Sequence, residues 1–133
     1  MALSVKFNKP NVADNIRSLV SKTVNGANGD ADYIVLDIPR NALLTVKSVE
    51  VITAFTASST GTLTVGYKLP GAAIVAAGFA DDTVALSEVT GIKMINKTRH
   101  FPNGGVLTIG VTKGTSVADI VARLTAEYSI ICT

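Results

Sequence analysis

Few residues in this chain are of a type that does chemistry, and none has the company that chemistry needs. His100 is the only histidine among 133 residues. No Ser or Cys in a recognisable nucleophile motif accompanies it, so a catalytic pair is not expected there. Asp81 and Asp82 form an adjacent carboxylate pair, the kind of group that binds metal or shuttles protons. Without a His or Glu at useful spacing, Asp81-Asp82-Thr83 reads as a solvated turn or a cap. Asn25, Asn28, Asp30 and Asp32 supply hard oxygen donors, but their spacing matches no calcium loop and the bidentate Glu is missing. The same stretch, Asn25-Gly26-Ala27-Asn28-Gly29-Asp30, carries two Asn-Gly pairs that take positive φ cheaply, which predicts a hairpin turn. Asn96-Lys97-Thr98 matches a glycosylation sequon, but no secretion signal accompanies it. The lone Cys132 excludes an internal disulfide and fits synthesis in a reducing compartment. The expectation is no catalytic residue, no metal and no cofactor.

Composition points to a packed β-domain that is not solitary. A chain of this length matches one domain that buries roughly two thirds of its unfolded surface. Hydrophobic residues make up 47%, yet Trp is absent and aromatics reach only 5%, so the core must come from Val, Ile, Leu and Ala. The charged fraction of 17% lies below the usual level of about 25%, and mean hydropathy is +0.40. That surplus of apolar surface predicts self-association. A net charge of +2 is too weak for a nucleic-acid binder, and no window is long enough for a membrane helix. Lys93, Lys97 and Arg99 form a basic group that suits a solvated strand edge.

The elements follow from periodicity. Residues 42–67 read as a long β-branched strand, a polar turn at Ala57-Ser58-Ser59-Thr60-Gly61 and a return strand, hence a β-hairpin. Tyr33 to Ile38 is a strand apolar on both faces, as between two layers, and Pro39 ends it. An alanine-rich stretch over 70–80 predicts a short helix or a loop. Residues 91–95 and 97–101 are two short extended pieces stopped by Pro102-Asn103-Gly104-Gly105. Gly61-Thr62-Leu63-Thr64-Val65-Gly66 and Gly105-Val106-Leu107-Thr108-Ile109-Gly110 both read G-x-L-T-[VI]-G, two strands in comparable places with glycines that permit sharp turns. For residues 116–131 the capping-box pattern Ser116-x-x-Asp119 favours a helix. The alternation of Ile120, Ala122, Leu124, Ala126, Tyr128 and Ile130 favours a strand, here with the preceding strand as its antiparallel partner, and the strand is preferred. The fold class is therefore all-β, an antiparallel, jelly-roll-like sandwich. Val49, Val51, Leu63, Val65, Leu107, Ile109, Leu124 and Tyr128 are its expected core. Residues 25–133 form the domain, and residues 1–24 are an N-terminal arm or the first strands. The segment is basic, with Lys6, Lys9, Arg17 and Lys22 against Asp14, and Pro10 favours an extended course. Leu3, Val5, Lys6, Phe7, Lys9 and Arg17 are the candidate partner contacts.

This order of elements resembles the small β-sandwich virion proteins of tailed bacteriophages, nearest to jelly-roll capsid decoration, or cement, proteins. The likeness rests on Val46-x-Ser48-Val49-Glu50-Val51, the two G-x-L-T-[VI]-G strands, the alanine-rich excursion between them and the closing Ala122-Arg123-Leu124-Thr125-Ala126-Glu127-Tyr128. It implies a non-enzymatic protein made in the host cytoplasm that sits on the capsid surface, often as a trimer, and bridges subunits of the major capsid protein. It implies no membrane and no direct nucleic-acid contact. Two alternatives are a carbohydrate- or receptor-binding β-sandwich of a fibre or spike, and a tail-tube or head-completion component. The first of these usually presents Trp or Tyr platforms, and here there are only Tyr33, Tyr67 and Tyr128.

Overall fold

Long runs of Val, Ile, Thr and Leu with two-residue alternation extend into strands, and the strands inside the sheets bury one face each. The structure, a computed structural model, describes residues 17–25, 31–56, 60–80, 87 and 89–131. Among these the elements are β1 (Arg17–Asn25), β2 (Ala31–Ile38), β3 (Ala42–Thr53), β4 (Thr62–Lys68), β5 (Ile74–Ala80), β6 (Gly91–Phe101), β7 (Gly105–Thr112) and β8 (Val121–Ile130). They form two four-stranded antiparallel sheets, ordered β1-β8-β3-β6 and β2-β7-β4-β5. No described residue is helical.

The pairing follows one rule. β1 pairs with β8, β2 with β7, β3 with β6 and β4 with β5, all antiparallel. The chain is thus one long hairpin ribbon, four pairs deep, and β3·β8 and β4·β7 close the seams where the ribbon winds on itself. That winding is the double-sheet jelly roll. Successive strands alternate in direction, so connections sort to two ends. The longer ones, 26–30, 54–61, 81–90 and 113–120, join at one end, where Asn25 and Thr53 both lie opposite Val121 and Val51 lies opposite Gly91. The tight ones, 39–41, 69–73 and 102–104, join at the other. There β1 begins and β8 ends, with Arg17 opposite Ser129 and Ala42 flanked by Phe101 and Ile130.

The sandwich and seven of the eight expected core residues stand as read. Val49, Val51, Leu63, Val65, Leu107, Ile109 and Leu124 are fully buried, while Tyr128 is half-buried. The strand preferred for the C-terminal stretch is β8, buried at Ala122, Leu124 and Ala126, with Ile120 buried just before it. Several connections differ from the local reading. Residues 42–67 are not a hairpin, because β3 and β4 lie in different sheets and residues 54–61 cross between them. The same holds for β7 and β8, and for β1 and β2 across 26–30. Local sequence announces a reversal of direction, but burial decides whether the returning strand pairs with its predecessor or packs across from it. The alanine-rich stretch expected as a short helix or loop is a turn followed by strand β5, whose edge position tolerates small residues.

Bulges explain two further differences. Val46 faces Lys97 but Ser48 faces Met94, so β6 carries an extra residue there. Asn96 takes φ 52 to absorb it, and the two expected pieces become one strand. On β2, Ile34 faces Thr108 while Leu36 faces Leu107, which inserts Val35. Val35 turns inward and leaves Ile34 61% exposed. The run that looked apolar on both faces is an edge strand with a phase shift, not a strand between layers.

Candidate interaction surface

The candidate contacts Leu3, Val5, Lys6, Phe7 and Lys9 lie outside the described residues. Arg17 is the first residue of β1, at the tight-turn end. Residues 26–30, Asp81, Asp82 and Cys132 also lie outside the described residues, while Asp32 is exposed on β2. His100 is exposed on β6 opposite Leu43. Among the described residues no three His, Cys, Asp or Glu side chains gather as a metal site would require, and no helix is long and apolar enough to cross a membrane.

Surface character comes instead from the two ends. At the long-connection end, polar links tie the connections together. Thr60 N donates to Thr115 Oγ1 at 3.1 Å and Thr115 N to Thr60 Oγ1 at 3.0 Å. Phe55 N donates to Ser87 O at 2.8 Å. Ser116, which would have capped the alternative helix, is buried and accepts from Thr56 N at 2.9 Å and Ala118 N at 3.2 Å. Asp119 accepts from Lys113 at 2.6 Å rather than closing a capping box. Towards this end the outer face of β6 presents Ile92 and Met94, each 65% exposed, beside Ile52 of β3. Val89 and Val117 are exposed in the connections nearby.

The turns and strand ends at the tight-turn end carry Arg40, Lys68, Arg99 and His100 against one acid, Asp37. Here the sandwich edge between β5 and β6 is closed by aromatic packing. Tyr67 of β4 meets Phe79 of β5 at 5.7 Å and Phe101 of β6 at 5.5 Å between ring centroids, both edge to face. The Arg99 guanidinium lies 4.5 Å over the Tyr67 ring and 5.9 Å from that of Phe101. A partly open recess of about 460 Å³ adjoins it, lined by Leu69, Pro70 and Ala72 of one turn, Arg99 and His100 of β6, and Pro102 of the next turn. Sequence reasoning placed Arg99 only in a basic edge group. Its aromatic partners are Tyr67 of β4 and Phe101 of β6, in different sheets, and no local pattern brings them together.

No protein-family model matches the chain, and no curated protein matches it in sequence. Solved structures do match in fold. A chain of the acid-stable capsid of the Helicobacter pylori bacteriophage KHP30 superposes with a TM-score of 0.68 at 19% identity, over 86% of this chain and 88% of that one. A chain of the capsid asymmetric unit of cyanophage Pam1 superposes with a TM-score of 0.58 at 19% identity, over 89% and 87%. What this chain shares with those two is the jelly-roll sandwich.

Proposed function

We propose that the protein is a non-enzymatic virion component of a tailed bacteriophage, a decoration protein that binds the outside of the capsid and bridges subunits of the major capsid protein. The observation that carries this reading is the near end-to-end correspondence in fold with a chain in each of two phage capsids. Neither superposition is with one domain of a much larger subunit, so the likeness is to small, separate shell components. The tight-turn end is the docking end. Its turns and strand ends carry Arg40, Lys68 and Arg99, and β1 begins there, the end from which a basic N-terminal arm over 1–24 would meet a partner. Leu3, Val5 and Phe7 would supply buried area, while Lys6, Lys9 and Arg17 would set encounter and register against an acidic coat surface. The exposed Ile52, Ile92 and Met94 fit a contact between copies, with a trimer as the expected assembly. A sugar-binding role gains no support from the aromatics, since Tyr67 is buried and Tyr33 and Tyr128 are half-buried.

Cryo-electron microscopy of the source particle tests this. The expected result is a jelly roll on the outer surface at a junction of coat subunits, with the tight-turn end inward. Finding the chain in a fibre or tail, or absent from the shell, overturns it.

A further inference from the structure

We infer that the recess beside Arg99 is a carboxylate-binding site, one that takes an Asp or Glu side chain of a partner protein together with an apolar neighbour. Three observations carry this. The guanidinium is held over Tyr67 at 4.5 Å, so its orientation is set before any ligand arrives. Among the described residues no carboxylate pairs with it, although other cations of the fold are paired: Lys47 with Glu127, Lys113 with Asp119 and Arg123 with Glu50. The recess of about 460 Å³ has apolar walls in Leu69, Pro70 and Pro102, with Arg99 as the cation that lines it. Its volume is in the range of roughly 300 to 1,000 Å³ typical of ligand sites.

A planar guanidinium presents paired N–H donors that match the two oxygens of a carboxylate. Stacking on an aromatic ring leaves the outward edge of that fork free. The apolar walls exclude water from one side of the contact, which strengthens the charge-assisted bonds. A neutral amide of the same shape satisfies the geometry of one bond but not the charge. The site therefore discriminates Glu from Gln.

The inference does not depend on the capsid reading, and the test uses the isolated full chain, so either can fail alone. The blocked tripeptide acetyl-Leu-Glu-Leu-amide is titrated into isotope-labelled protein and followed by NMR, beside its Gln counterpart. The Glu peptide should move Arg99 Nε and the amides of residues 69–72 and 102–104 saturably, binding about tenfold more tightly than the Gln peptide. Arg99→Met keeps an apolar stem over Tyr67 and should preserve the melting temperature while weakening Glu-peptide binding about tenfold. Equal binding of the two peptides overturns the inference. So does unchanged binding by R99M, or shifts spread over the lysines with none at this recess.

Discussion

Gly66 is the position where the fold leaves least room, and replacing it with Ala tests how β5 is held. Gly66 lies in β4 opposite Thr108, and on its other side β5 bulges between the pairs Val65↔Ala80 and Tyr67↔Val75. A Cβ there would overlap the carbonyl oxygens of Val75 and Ala76 and stand 2.7 Å from the Ala76 carbonyl carbon. Carbon atoms settle at about 3.5 Å or more, so the β5 backbone must retreat by about 1 Å. The obstacle is main chain, which has no rotamer to escape into. Overpacking of this kind costs about 1–3 kcal/mol, and each ladder bond it breaks adds about 0.5–1.5 kcal/mol. Because residues 74–78 are exposed, water recovers part of the second term, and Gly66→Ala should lose about 2–4 kcal/mol. The domain should stay folded with a melting temperature lower by about 10 °C. Hydrogen exchange locates the damage: amides of β5 should lose protection while those of β3 and β8 keep theirs. A loss under about 0.5 kcal/mol, or faster exchange spread evenly over both sheets, refutes the account. Gly71→Ala is the control, since nothing lies within 4 Å of its Cβ but φ is +72°, and it should cost only about 1 kcal/mol through the backbone.

Leu107→Ala removes a fully buried side chain from an inner strand of the second sheet, and denaturant unfolding should show a loss of about 2–5 kcal/mol. Ile92→Glu with Met94→Glu should shift sedimentation toward monomer at unchanged melting temperature; an oligomer that survives both changes places the contact elsewhere. Deleting residues 1–12 stops short of β1, so the melting temperature should hold within a few degrees while binding to source particles is lost. Unfolding of the shortened chain would make that segment part of the core.

The strands were legible in the sequence where one face is buried without interruption. Val49, Val51, Leu63, Val65, Leu107, Ile109 and Leu124 recur at two-residue spacing or within a strand pattern of that period, and each is buried. What local pattern could not supply was partnership. The two G-x-L-T-[VI]-G strands pair with each other, Leu63 opposite Val111 and Val65 opposite Ile109, although 44 positions separate the repeats. Their glycines serve close approach as much as turning. Gly66 admits the backbone of β5, and a Cβ on Gly110 would stand 2.5 Å from Thr64 Oγ1 and 2.9 Å from Asp32 Oδ1. The aromatic fraction was equally misleading as an average, because Tyr67, Phe79 and Phe101 are few but concentrated where the two sheets would otherwise gape.

The same topology explains why net charge said so little. A ribbon folded as pairs 1·8, 2·7, 3·6 and 4·5 sends every connection to one of two ends, so charges scattered along the chain are sorted in space. Among the described residues, the tight turns and the strand ends beside them carry Arg40, Lys68 and Arg99 against Asp37. A sum of +2 says nothing of this local basic group, because strand order assembles it from three separate stretches of the chain. A basic group of this kind favours encounter with an acidic surface at the tight-turn end, an effect screened beyond about 8–10 Å at ordinary ionic strength.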